Sequence, residues 1–127
     1  MVQHCTGIVC CAMSGEKCDA LKLPLMVENN EEYMGTKFCV TVDAGPASGV
    51  TTGVSAFDRG TTIRALANPA TVPTELVRPG HVFPLRYTEG GVLVRGGHTE
   101  ASVDLCLLAG LEPVRPSPSD DDVHHPQ

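Results

Sequence analysis

The sequence predicts a mixed α and β fold in one domain, and three observations carry that prediction. Strand-like and helix-like runs alternate along the chain instead of segregating into blocks. The apolar content is aliphatic, with no Trp, two Tyr and three Phe, which suits layered packing of Val, Leu, Ile, Ala and Met. The length, 127 residues, is enough for one core and not for two.

Each element has a local reason. Thr6-Gly-Ile-Val-Cys-Cys-Ala-Met13 is short, apolar and β-branched at its centre, as a buried strand is. Ser14 stands where it can cap a short helix over 16–21, which Pro24 stops. Residues 27–32 (VENNEE) read as a polar loop. Residues 37–43 (KFCVTVD) alternate as a half-buried strand, residues 45–49 (GPASG) turn, and residues 50–55 (VTTGVS) read as a further strand. At Ser55 the period changes. Ser55-Ala-Phe-Asp58 reads as a capping box with Asp in the place of Glu, opening a helix that Asn68-Pro69 ends. Residues 73–77 read as one helical turn, and 82–86 and 92–94 as short strands separated by Glu89-Gly-Gly91. The last helix is expected over 100–109, with Thr99 as N-cap, Gly110 just past its end, and Ala101, Leu105 and Leu108 on one face. Residues 1–113 make the domain. Residues 114–127, with three prolines and three consecutive aspartates, are expected to form a disordered tail. Its Asp120–Asp122 and His124–His125 are read as solvated tail rather than a metal site.

Charge narrows the class. The net charge is −6, yet from Arg59 to Arg95 five arginines face only Glu75 and Glu89. Nucleic acid would call for a more basic whole. A small phosphorylated substrate needs only a local arginine pocket. The six cysteines include no C-x-x-C pair, which argues against a zinc ribbon or a thioredoxin motif. With no signal-peptide pattern and no apolar run near the length of a membrane span, the chain is expected to be cytoplasmic, its thiols reduced.

Four places could carry chemistry. In Arg95-Gly-Gly-His-Thr99, Gly96 and Gly97 let the backbone approach a ligand, and the following helix start favours an anion. Arg95 adds full charge, and His98, biased toward neutral imidazole by the helix start, suits a metal or a proton. The blander reading is a Gly-Gly turn with an ordinary histidine. His81 sits in Arg78-Pro-Gly-His-Val-Phe-Pro-Leu85, framed by Pro79 and Pro84, as a pre-positioned acid–base group or as a hydrogen-bonded structural one. Cys10 faces a pocket if Cys11 faces the core, though a buried inert thiol is the default. Thr62, four residues after Asp58, could offer its hydroxyl to a substrate or simply belong to a solvated helix turn.

Taken in order, TGIVC (6–10), LPLMVENN (23–30), GVTTGVSAFDRGTTIRAL (49–66), RPGHVFPLR (78–86) and GGVLVRGGHTEASVDL (90–105) resemble the 3,4-dihydroxy-2-butanone 4-phosphate synthase family of riboflavin biosynthesis. The resemblance covers about residues 3–113. It implies an α+β fold, a mixed sheet packed with helices. The fold is expected here to be truncated at both ends, without the family's acidic loop before TGIVC and its Glu-bearing strand after Pro113. It implies a lyase that converts D-ribulose 5-phosphate to L-3,4-dihydroxy-2-butanone 4-phosphate and formate. The implied cofactor is Mg²⁺, with Mn²⁺ as the alternative ion, and the implied assembly is a homodimer with sites near the subunit interface. By motif match Arg95, Gly96, Gly97, His98 and Thr99 would hold the sugar phosphate, and His98 would also ligate the metal. His81 would be an essential group near the reacting carbons, with Cys10 and Thr62 close to the substrate. Two alternatives accompany these expectations: a plastid-targeted precursor, and an inactive truncated homologue that keeps sugar-phosphate binding or dimerisation.

Overall fold

A computed structural model of the chain describes His4 and residues 7–111; the expected tail, 114–127, lies outside the described residues. Among these, β1 is Val9–Met13, α1 Gly15–Ala20, β2 Val42–Ala44, α2 Ala56–Ala67, β3 Leu76–Arg86 and α3 His98–Leu108. Short 3₁₀ turns occupy Pro46–Ser48, Pro73–Glu75 and Gly91–Leu93. No helix among the described residues is long and apolar enough to cross a membrane.

β3 is the central strand. β1 lies parallel to it, in register from Val9 opposite Val82 to Met13 opposite Arg86. β2 lies antiparallel on the other side. Before β2, Phe38 bridges Leu85, and Cys39 N–H donates to Pro84 O at 2.9 Å. Leu25 bridges Cys39 in turn. The sheet is therefore mixed, and with its three helices the fold is α+β.

The core follows from alternation. Along β1, Val9, Cys11 and Met13 are buried while Cys10 and Ala12 are half-buried on the opposite face. Met13, Cys18, Leu21, Leu23, Cys39, Val42, Leu66, Leu76 and Val82 then form one cluster, which Val40 and Ile63 flank. Ser14 caps α1 by accepting from Lys17 N–H at 3.2 Å. The buried Lys17 ammonium bonds Asn68 O at 2.9 Å, which ties α1 to the end of α2. Leu93, Val94, Leu105 and Leu108 stay exposed, so the face shared by Ala101, Leu105 and Leu108 is not the buried one; α3 buries Thr99, Glu100 and Val103 instead.

Three expectations are corrected. Residues 50–55 form no strand, because their donors are taken locally: the Asp58 carboxylate accepts from Thr51 N–H at 3.2 Å, Thr51 Oγ1 at 2.8 Å and Gly53 N–H at 3.0 Å. The capping box is accordingly half made. Ser55 Oγ accepts from Asp58 N–H at 3.0 Å, while the Asp58 side chain holds the preceding loop. Residues 92–94 form no strand either, since Val94 and Arg95 N–H both return to Gly91 O and the Asp104 carboxylate takes Val92 N–H. Finally, α3 starts at His98 with Gly97 as cap, so Thr99 lies inside the first turn. A Cβ at Gly97 would come within 2.2 Å of Arg95 Nη1 and 2.8 Å of Glu100 Oε2, so a side chain there would have to displace the Arg95–Glu100 pair.

Thr62 is fully buried and joins α2 to the sheet, accepting Ala44 N–H at 2.9 Å and donating to Asp58 O at 3.2 Å. Thr62→Val keeps the shape but strands the Ala44 donor. Denaturant unfolding of that variant should show a loss of about 1–3 kcal/mol.

Candidate active site

The first part of the site is a break in the β2–β3 ladder. Val42 pairs with Val82 but Asp43 pairs with Val77, leaving residues 78–81 as an irregular bulge in β3. Gly80 permits it, because a Cβ there would fall 2.0 Å from the Val42 carbonyl carbon. The bulge's donors go to side chains of the facing strand: Gly80 N–H to Thr41 Oγ1 at 3.0 Å, and His81 N–H to Asp43 Oδ1 at 2.8 Å. Asp43 Oδ2 lies 2.8 Å from His81 Nδ1. The imidazole is 44% exposed and the carboxylate 12%, so an accessible ring rests on a nearly buried anion.

Strand alternation puts His81 on the same face as Cys10. Val82 points into the core, so His81 and Phe83 point away from it, and Cys10 is the cross-strand partner of Phe83. Burial pushes the Cys10 thiol above its ordinary 9.0 and the Cys11 thiol up to about 11. Both are thiols at neutral pH, without thiolate character. Thr62 is corrected as a substrate contact: its hydroxyl is fully buried and occupied by Ala44 and Asp58, so it acts on the site only through β2.

The second part is the turn from Arg95 to Thr99. Arg95 is largely engaged by the protein itself. Its Nε and Nη2 donate to Met34 O at 3.3 and 3.0 Å, Nη2 also to Thr36 Oγ1 at 3.2 Å, and Nη1 to Glu100 Oε2 at 2.5 Å. These bonds occupy four of the five guanidinium N–H groups, which leaves one on Nη1 for a ligand. His98 is exposed at the first helical position, where the N–H groups of the opening turn lack intrahelical acceptors. A cleft of about 270 Å³ lies along a different segment, 25–38, lined among others by Leu25, Met26, Asn30, Thr36 and Phe38. Neither His81 nor His98 lines it, and both are exposed.

Sequence reasoning passed over Asp43 and Glu100. For Asp43 the sequence pointed the other way: alternation in KFCVTVD sets it opposite Phe38, Val40 and Val42, yet Val42, Asp43 and Ala44 are all buried. Glu100 is buried beneath Arg95 and also accepts Thr88 N–H at 3.1 Å.

A hard cation such as Mg²⁺ takes several oxygen ligands. Among the described residues no three His, Cys, Asp or Glu side chains come together as a metal site. Glu100 is committed to Arg95, and Asp43 to His81. His98 is a single available donor, so the described residues do not by themselves fit a magnesium shell.

Burial raises the Glu100 carboxyl, but the Arg95 guanidinium, its own N–H and Thr88 outweigh burial and hold it below the ordinary 4.5. A lowered folded-state value stabilises the fold above the unfolded value, and that contribution is lost as pH falls through the folded one. The stability gap between the wild type and Glu100→Gln in denaturant unfolding should therefore be full above the ordinary carboxyl value of 4.5 and shrink as pH falls below it. Parallel curves would remove this assignment.

The profile of the family described as 3,4-dihydroxy-2-butanone 4-phosphate synthase matches residues 1–116. The chain is 57% identical over 115 residues to the 3,4-dihydroxy-2-butanone 4-phosphate synthase of Schizosaccharomyces pombe, covering 90% of this chain and 55% of that one. It is 60% identical over 116 residues to a chloroplastic monofunctional riboflavin biosynthesis protein of Arabidopsis thaliana, covering 90% of this chain and 24% of that one. A crystal structure of 3,4-dihydroxy-2-butanone 4-phosphate synthase in complex with two magnesium ions superposes with a TM-score of 0.85 at 50% identity, over 89% of this chain and 52% of that one. The chain thus spans about half the length of the S. pombe relative and of the solved protein. By profile, identity and fold together, it belongs to the 3,4-dihydroxy-2-butanone 4-phosphate synthase family.

Proposed function

We propose that this chain acts as a lyase converting D-ribulose 5-phosphate to L-3,4-dihydroxy-2-butanone 4-phosphate and formate in riboflavin biosynthesis. The observation that carries the proposal is the accessible His81 imidazole held on the Asp43 carboxylate. Enolising a phosphorylated ketose requires a group that takes and returns a proton near neutral pH, and imidazole is the side chain suited to that. The sugar phosphate is assigned to Gly96, Gly97, His98 and Thr99 at the opening of α3, with the remaining Arg95 Nη1 hydrogen. Cys10, protonated and on the face of His81, is assigned to the wall of the substrate site.

A bound magnesium would supply charge neutralisation at substrate oxygens, and His98 is the one described residue we assign to it, the rest of its ligands lying outside the described residues. The cytoplasm is retained as the compartment and the homodimer as the assembly. The exposed apolar side chains of Leu93, Val94, Leu105 and Leu108 support the dimer. Light scattering of the purified chain reads that state, and a monomer at all concentrations would exclude it.

Formate release from ribulose 5-phosphate, with magnesium and with EDTA, tests the central claim. The expected result is formate only with the metal, lost in His98→Ala and reduced about 10²–10⁴-fold in kcat in His81→Ala. No formate from a chain with a cooperative melting transition would sink the lyase reading. Calorimetric heat with ribulose 5-phosphate, abolished in Arg95→Ala, would then assign sugar-phosphate binding alone.

A further inference from the structure

The Asp43 carboxylate makes two bonds to a single residue. Oδ1 accepts the main-chain N–H of His81 and Oδ2 faces its ring Nδ1, both at 2.8 Å. A carboxylate can only accept, so Nδ1 must donate, and the neutral ring then carries its proton there and its lone pair on Nε2. No described residue bonds Nε2.

The carboxylate is in turn held from two sides. β2 carries it, and Thr62 Oγ1 fixes that strand through Ala44 N–H at 2.9 Å. The Thr51–Gly53 loop closes over it: a Cβ on Gly53, where φ is +88°, would lie 2.2 Å from Asp43 Oδ2. Asp58 pins that loop through Gly53 N–H at 3.0 Å. The segment from Thr51 to Thr62 thus serves as a mount for a carboxylate that lies outside it in sequence.

We infer that Asp43 is the positioning residue for His81, fixing the Nδ1–H tautomer and presenting Nε2 as the proton acceptor. Gly53 leaves the space that makes this geometry available. The consequence for turnover rests on His81 being the proton-transfer group of the proposed lyase. The tautomer itself is a property of the folded chain, readable without any substrate.

The experiment uses the full chain labelled with ¹⁵N-histidine, and records long-range ¹H–¹⁵N correlations at neutral pH. His81→Gln identifies the His81 signals among the five histidines. The wild type should show His81 protonated on Nδ1. Asp43→Asn, whose amide can donate, should shift His81 toward the Nε2–H form, and Gly53→Ala should do the same by displacing the carboxylate. The His98 pattern should stay unchanged in both. In formate assays kcat of Asp43→Asn should fall roughly 10²–10⁴-fold, with KM within about threefold. An Nε2–H ring in the wild type, or an unaltered tautomer in Gly53→Ala and Asp43→Asn, overturns the inference. If Asp43→Asn does not fold, the wild-type and Gly53→Ala spectra decide it. An Nδ1–H wild type that releases no formate refutes the lyase reading and leaves the positioning role standing.

Discussion

The break in the β2–β3 ladder constrains everything around it. A bulge in a central strand exposes main-chain donors that the ladder no longer serves, and a buried donor without a partner costs about 1–3 kcal/mol. Here the facing strand answers with side chains, Thr41 to Gly80 and Asp43 to His81. Neither could reach if residue 80 carried a Cβ. The repair leaves one carboxylate oxygen over, and that oxygen meets the His81 ring. A structural necessity and a poised imidazole are thereby the same interaction.

A buried ionic contact organises the other half of the site. Arg95 and Glu100 bracket Gly97, while the remaining guanidinium donors hold the loop at Met34 and Thr36. Buried pairs gain little net stability, because desolvation offsets attraction, but removing one partner leaves an uncompensated charge and is strongly destabilising. The pair therefore fixes geometry more than it adds stability. It sets the first residue of α3 at His98 and docks the 34–36 loop against it. It also means that Arg95 meets a phosphate with one donor rather than with an open fork, and that the main-chain N–H groups carry more of the anion contact.

Much of this was legible in the sequence because it depends on near neighbours. Ser14 and Ser55 cap helices through their own third residues on, as their spacing required. The β1 core face follows from alternation, and His81 and the Arg95–Thr99 turn stand out by their glycines and prolines. The failures share a cause. VTTGVS is β-branched and looks extended, yet its donors belong to Asp58. Residues 92–94 look like a strand, yet Asp104, nearly two turns into α3, takes the Val92 N–H. Thr62 looks available on its helix, yet β2 lies across it. In each case propensity was outvoted by a partner that lay elsewhere in the chain.

The sequence by itself determined the fold class, the family and the identity of the two histidines, since these rest on local periodicity and on contiguous motifs. Only the tertiary structure decided that Asp43 orients His81, that Glu100 holds Arg95, and that Thr62 is a joint rather than a substrate contact. Those facts depend on side chains brought together from separated segments, 38 positions apart for Asp43 and His81. No pattern within either segment encodes a distance of that kind.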